Sequence, residues 1–330
     1  MNPSSPITVK DLARICGVSI GTVDRAINDR KGISPDTKKR ILATAEQYGF
    51  VKNQNALTLS SGKSRNIGVI IFSLGNEYFT TLLTAIEKEA RECGYATIIM
   101  MSNYSAESEI ECARKMYAMN VAGLIVFSVL ESAEFYTSFI RAGIPVVSVG
   151  NRLKEHRNIR IPFAGIDDYS AMKASTEYVI SRGYRKLIYV APVLEKGSTQ
   201  NISAQTLRYE GFLDTVRSRG VNYDVIADYS AYGSSFLQLE PQRAERTALL
   251  CPSDSYTLKC LSVHWISRSP ENRFGIMGFD RFPTVSAILP RLSGISYSTE
   301  EIGIRAARLL FEENPEDAII PYEIVEGETL

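Results

Sequence analysis

ITVKDLARICGVSIGTVDRAINDRKGISPDTKKRILATAEQYGF, residues 7–50, is the stretch on which the reading of this chain turns. Thr8 can cap a helix opening at Val9, with Asp11 three residues on completing a T-x-x-D capping box. Val9, Leu12, Ala13 and Cys16 then recur at i, i+3, i+4 and i+7, giving one apolar stripe, and Gly17 ends it. Ser19 caps a second helix whose Ile20, Val23 and Ile27 repeat the helical spacing, until Asn28-Asp29 breaks it. Only about three residues separate the two, the spacing of a helix-turn-helix. A third helix opens with Ser34 as N-cap and Pro35 at the first helical position, where a missing N–H costs nothing. Ile41, Leu42, Ala45 and Tyr48 are its expected inner face, and Gly49 can take the left-handed conformation past its end. Bundles of this kind also occur in modules that never touch DNA, so the pattern alone leaves both readings open.

Charge separates them. The 330 residues carry no formal net charge, which on its own argues against nucleic acid. Residues 1–63, however, hold ten Lys/Arg against five Asp/Glu, while the other 267 hold 27 against 32. A small basic module on a mildly acidic body suits a DNA-binding head, because phosphate attraction needs only local charge. The length suits two or three folding units. With 45 % hydrophobic and 22 % charged residues the chain is of globular composition. No apolar run approaches the ~20 residues of a membrane span, and no basic segment followed by an apolar one opens the sequence. Five scattered cysteines without a CxxC pair read as packed, reduced thiols, not a disulfide framework or zinc site. The expected location is the cytoplasm, with no membrane partner.

The first fifty residues closely resemble the headpiece of the lac-repressor/galactose-repressor (LacI/GalR) family, and GVSxxTVxRxxN over residues 17–28 carries the resemblance. In that family the second helix enters the major groove. The resemblance implies base reading by Ile20, Gly21 and Arg25, and phosphate contacts by Thr8, Ser19 and Asn28. Arg25 suits the role because a guanidinium bonds bidentately to guanine O6 and N7. Ser19 stands at a helix N-terminus, beside backbone N–H groups that favour a phosphate. The usual Ser before the Arg is here Asp24, which either accepts from a cytosine amino group or orients a nearby basic side chain. Residues 51–64, VKNQNALTLSSGKS, occupy the place of the family's hinge helix. By resemblance Leu59 is the apolar wedge inserted into the minor groove. Lys52 replaces the family's Pro and Leu57 its Arg, and the competing reading is a plain polar linker.

Beyond residue 64, apolar runs rich in β-formers alternate with helix-length segments: IGVIIF 67–72, TIIMM 97–101, GLIVFS 123–128, VVSVG 146–150, LIYVAP 187–192, VIADYS 225–230, TALLCP 247–252 and FGIMGF 274–279. Continuous apolar strands separated by helices imply parallel sheets covered on both faces. Eight such units divide naturally into two sets of four. The succession is similar to the family's effector domain, which implies a two-lobed α/β body with the fold of type I periplasmic sugar-binding proteins behind an all-α helix-turn-helix headpiece. The implied division is a head at 1–50, a hinge at 51–64 and an effector-binding domain at 65–330. Its N-lobe would hold about 65–161 and 291–320, and its C-lobe about 162–290 and 321–330.

Ligand is expected between the lobes, at the carboxyl ends of the strands, where open parallel sheets bind ligands generally. The resemblance places Asn76, Tyr78 and Phe79 there after the first strand, Asn151 after the fourth, and Asp168 in the segment GIDD. It matches Arg208 in SAQTLRYEGF to an Arg that bonds sugar hydroxyls, Tyr229 in DYSAYGS to a stacking ring, and Asp254 in CPSD to a hydroxyl-binding Asp. An Arg, an Asp and a flat ring are what polyol recognition needs. Tyr297 stands where many members carry an amide or acid.

A nucleotide-dependent α/β enzyme is the rival from another class, since alternating βα units also build dehydrogenases and kinases. No GxGxxG or GxxxxGK[ST] follows an expected strand, and His156 and His264 lie in no Ser/His/Asp or HExxH arrangement. The expectation is a regulator that is not an enzyme and needs no cofactor or metal. Its partners would be operator DNA, a small effector of sugar type and a second copy of the chain in a homodimer. Repression is favoured over activation by resemblance alone.

Overall fold

The computed structural model describes residues 7–50, 64–75, 77–190, 202–226, 246–262, 274–287 and 291–330. They form two compact units, divided at Lys63 and Ser64. The hinge segment 51–63 with Leu59, and also Asn76 and Tyr229, lie outside the described residues.

The first unit has three helices, α1 (Val9–Cys16), α2 (Ile20–Ile27) and α3 (Pro35–Gln47). The sequence's punctuation is realised: Thr8 and Asp11 cap one another, Ser19 accepts from the Thr22 N–H, and Ser34 from the Thr37 N–H. The core is small: Leu12, Ala13, Val23, Ala26, Ile41 and Ala45. Two assignments change. Leu42 and Tyr48 are exposed instead of facing inward, because so small a core takes only one narrow face of α3, and Tyr48 is already its C-cap. Ile20, although in phase with Val23, is 52 % exposed.

The second unit contains two six-stranded sheets instead of two sets of four. The N-lobe sheet joins β1 (Asn66–Ile71), β2 (Ala96–Met101), β3 (Leu124–Val126), β4 (Val146–Val149), β5 (Phe163–Gly165) and β11 (Ala318–Ile319), in the order β11-β5-β4-β3-β1-β2. The C-lobe sheet joins β6 (Lys186–Val190), β7 (Asn222–Ile226), β8 (Thr247–Leu250), β9 (Gly275–Asp280), β10 (Ser293–Tyr297) and β12 (Tyr322–Val325), in the order β12-β10-β9-β8-β6-β7. Every pairing is parallel except β10 with β12, where Ile295 faces Ile324 across an antiparallel edge. Central strands such as β1, β8 and β9 are buried nearly throughout, as parallel strands covered on both faces must be.

The lobe boundaries therefore shift from those expected. β5, assigned to the C-lobe on sequence, pairs with β4 in the N-lobe sheet, and β10, assigned to the N-lobe, pairs with β9 in the C-lobe sheet. The chain changes lobe after Gly165, after Tyr297 and after Ile319, once a strand of each sheet has been completed. Helices α4 (Glu77–Glu92), α5 (Ala106–Ala118), α6 (Thr137–Arg141) and α11 (Thr299–Leu309) go with the N-lobe. Helices α7 (Asp168–Ser181), α8 (Ser203–Arg219), α9 (Asp254–Leu261) and α10 (Pro283–Ser286) go with the C-lobe. Of the five cysteines, Cys251 and Cys260 are buried as expected, but Cys93 is exposed beyond the end of α4.

Candidate functional site

In the head, Thr8, Lys10, Ser19, Ile20, Gly21 and Arg25 are exposed and Asn28 is half-buried. The three residues assigned to phosphate all sit at helix ends: Thr8 and Ser19 are N-caps, and Asn28 is the C-cap of α2. Gly21 meets nothing closer than 3.9 Å where a Cβ would stand, so packing does not require a glycine there. Asp24 resolves toward the second of its two readings. One carboxylate oxygen accepts from the Asn28 side-chain amide (2.6 Å) and the other from the Arg30 guanidinium (3.0 Å). Asp24, on α2 itself, thus fixes the Asn28 amide and the Arg30 guanidinium at the C-terminal end of that helix.

The second site is a cavity of about 260 Å³ between the carboxyl ends of the two sheets. Its N-lobe wall is aromatic. Phe72 directly follows β1 and stacks on Tyr104 at 4.9 Å between centroids, while Phe79 and Phe127 meet edge to face at 5.5 Å. Tyr78 packs edge-on against both Phe79 and Phe127. Its C-lobe wall is polar: Gln205 and Arg208 from α8, Ser253 before α9, Asp280 at the end of β9 and Tyr297 at the end of β10.

Arg208 organises that wall. On α8 the buried positions are Arg208, Gly211, Phe212, Thr215 and Val216, the core stripe of the helix, so the guanidinium is carried inward with the apolar residues. Its Nε donates to Asp168 (2.7 Å), its Nη1 donates to the Pro252 carbonyl and, at 3.4 Å, to Asp280, and its carbon lies 3.9 Å over the Phe279 ring. Tyr297 donates its hydroxyl to the same Asp280 oxygen (2.6 Å). Asp280 holds φ +94°, a conformation rarely adopted with a side chain, and the contacts to Arg208 and Tyr297 keep it there. Burial pushes the Asp168 carboxyl up, with the Arg208 charge pulling it back, and burial likewise raises the Tyr78 and Tyr297 phenols. Gly211 lets α8 approach α7 closely, since a Cβ would stand 2.4 Å from the Tyr169 carbonyl oxygen. That approach brings Arg208 to Asp168, the first residue of α7.

Four contacts join the lobes around the cavity. The Asn151 side chain donates to the Ser128 carbonyl (3.2 Å) and accepts from the Ala204 N–H at the start of α8 (3.3 Å). The Arg152 N–H donates to Ser203 Oγ (2.9 Å), the Thr284 N–H to Glu77 (3.2 Å), and Tyr78 faces Phe282 at 6.0 Å.

Residues 8–53 match the family model of bacterial regulatory proteins, lacI family, and residues 64–240 match that of periplasmic binding proteins and the sugar binding domain of the LacI family. The chain belongs to the LacI family. Residues 176–330 also match a periplasmic binding protein-like domain. Catabolite control protein A of Priestia megaterium is 27 % identical over 312 residues, covering 92 % of this chain and 91 % of that protein. The lac repressor dimer bound to operator and the anti-inducer ONPF has the same fold, with TM-score 0.81 and 19 % identity over 98 % of this chain and 99 % of that one. The CelR–cellobiose complex is likewise similar in fold, with TM-score 0.65 and 19 % identity over 98 % of this chain and 99 % of that one.

For this LacI-family chain, the fold brings four of the residues assigned to the effector to the cavity wall: Tyr78, Phe79, Asn151 and Arg208. Asp168 and Asp254 stand behind it. Asp168 backs Arg208, and Asp254 is buried beneath Ser253 with one oxygen accepting from the Phe282 N–H (2.7 Å) and the other without a partner. Burial, with the Asp280 charge beside it, pushes the Asp254 carboxyl up to about 8. Sequence reasoning missed Phe72, Tyr104, Phe127, Gln205 and Asp280. Phe72 and Asp280 had an available signal: each stands at the carboxyl end of an apolar run, where open α/β sheets bind ligands. Tyr104 and Gln205 had none.

Proposed function

We propose that this regulator is a cytoplasmic repressor that binds an imperfect palindrome as a homodimer, and that a small polyol in the cleft controls its affinity for DNA. The observation that carries the reading is the Arg208–Asp168–Asp280–Tyr297 network, which lies at the carboxyl ends of the C-lobe strands and faces N-lobe rings across a cavity. A molecule touching both walls senses the angle between the lobes, and it shifts DNA affinity only if it binds two lobe arrangements unequally, typically by ~1–3 kcal/mol. The head is joined through residues 51–63 to β1, a strand of the N-lobe, so movement of that lobe is the route by which effector reaches DNA. That CelR was solved with cellobiose supports a ligand of sugar type.

A homodimer suits the head, because one recognition helix makes few contacts and two-fold symmetry pairs two heads with two half-sites. The edge strand β2, with Ile99 and Met101 exposed, and Tyr117 and Met119 at the end of α5 offer an apolar N-lobe flank for it. The cleft is read as a binding site and not a catalytic one, since its charged groups are tied to one another. Titration of the purified protein with monosaccharides and small polyols, with an operator gel shift as readout, tests the reading. We expect one class to change operator affinity and Arg208→Met to abolish its binding. Binding by Arg208→Met within about threefold of the original affinity, or a micromolar monomer that protects a symmetric site, would sink it.

A further inference from the structure

We propose that the effector is an uncharged sugar-sized polyol that carries one flat aromatic ring, the chemistry shared by a nucleoside and an aryl glycoside. This rests on reading the cavity as the effector site. The two walls differ in what they offer a ligand. On the C-lobe side the Gln205 side-chain oxygen is buried and without a partner, and Ser253, although at an N-cap position, caps no backbone N–H with its hydroxyl. These groups, with Asp280 and Arg208, suit a hydroxyl-bearing face.

The N-lobe side is made of Phe72, Phe79, Phe127 and the rings of Tyr78 and Tyr104. Its one amide among the described residues, Asn151, already donates to Ser128 and accepts from Ala204. The Tyr78 ring packs edge-on against Phe79 and Phe127 and faces Phe282. A sugar hydroxyl pressed against the phenylalanines would lose water without gaining a partner. A flat ring there gains offset or edge-to-face contacts. The cavity, about 260 Å³, lies just below the usual ~300–1,000 Å³ of small-molecule sites, a size that suits one sugar unit and one ring system.

Charge completes the selection. Arg208 is the one cationic side chain among the described residues on the wall, and it already faces Asp168 and Asp280. Among the described residues of the wall, a phosphate or carboxylate on the ligand would find no spare positive charge and would meet the excess acid. Nucleotides and sugar phosphates are therefore disfavoured relative to their uncharged parents.

Calorimetry on the full-length protein tests this with three matched sets. One holds adenosine, uridine and the phenyl glycosides of glucose, galactose and xylose. A second holds ribose and the corresponding methyl glycosides, and a third holds AMP, UMP and glucose 6-phosphate. We expect at least one ring-bearing neutral compound to bind tenfold or more tightly than both its ring-free and its phosphorylated counterpart. Whether it comes from the nucleosides or from the phenyl glycosides identifies the source. Tyr104→Ala, at a half-exposed ring on the cavity mouth, and Phe72→Leu should each remove most of that preference. Equal binding of ring-free and ring-bearing sugars, tighter binding of a phosphorylated compound, or no binding of any ring-bearing compound overturns the proposal. If ring-free sugars bind and Arg208→Met abolishes them, the polyol reading of the cleft stands and only the aromatic requirement falls. If nothing in the three sets binds, both fall.

Discussion

The head and the cleft solve opposite problems with similar residues. In the head, Thr8, Ser19, Ile20, Gly21, Arg25 and Asn28 lie within 21 residues of one another, on the outside of a bundle closed by six buried side chains. In the cleft, the wall is drawn from residues 72 to 297, and its central cation is buried in a lattice of its own. An arginine at position 25 faces solvent. An arginine at position 208 holds two lobe elements and a strained strand end in place before any ligand arrives. Gly21 and Arg25 in the head are thus separable from its fold, while Thr8, Ser19 and Asn28 also cap its helices, and Arg208 in the cleft belongs to the fold itself.

The sharpest way to break this comparison is to delete the two arginines. Arg208→Ala leaves Asp168 and Asp280 without their counter-charge, and loss of one partner of a buried pair costs ~3–5 kcal/mol. Urea unfolding of the full-length protein should show that loss together with loss of any effector response; a variant as stable as the parent would place Arg208 outside the structural lattice. Arg25→Ala should leave the unfolding curve unchanged and cost ~1–3 kcal/mol of specific operator binding with relaxed base preference. Lys10→Ala, if Lys10 meets only phosphate, should weaken specific and random DNA alike and flatten the salt dependence. Equal losses for both variants on both DNAs would remove Arg25 from base reading.

Glycines extend the same contrast. Gly211→Ala forces a Cβ against the Tyr169 carbonyl, and overpacking of this kind costs ~1–3 kcal/mol while pushing Arg208 from Asp168. Gly21→Ala meets only Ser19 Oγ, at an ordinary 3.9 Å, and should leave head stability equal or slightly raised, changing only DNA preference. Thermal melts of the two variants separate the cases, and a destabilised Gly21→Ala would contradict the exposed, packing-free placement of that residue.

A further expected effect concerns pH. Asp254 is held near 8 in the folded protein against an ordinary value of 3.8, so its acid form is the one folding favours. Its contribution to stability is full below pH ~4 and is lost as pH rises toward 8, at up to ~1.4 kcal/mol per pH unit. Asp254→Asn, which cannot ionise, should flatten that fall. Parallel stability–pH curves for the two proteins would show that the carboxyl does not titrate where its burial places it.

The sequence by itself determined the head almost completely. Its caps act within three residues, Thr8 with Asp11, Ser19 with Thr22 and Ser34 with Thr37, and local rules read local bonds. It also placed the central apolar strands, because burial on both faces demands an unbroken run of Val, Ile and Leu. β5, β10, β11 and β12 escaped: none of them carries a long unbroken apolar run, and two of them, β11 and β12, pair only across a lobe change. The lobe boundaries moved with them. In the cleft, position 208 was legible but its chemistry was not, since Asp280 lies 72 residues away and reaches it only after α8 has packed on α7 and β9 has ended in a left-handed turn. The gathering of Phe72, Tyr104 and Phe127 into one wall has the same cause. Tertiary structure alone decides which side chains from distant strand ends share a cavity, because their proximity is set by sheet order, which no local pattern encodes.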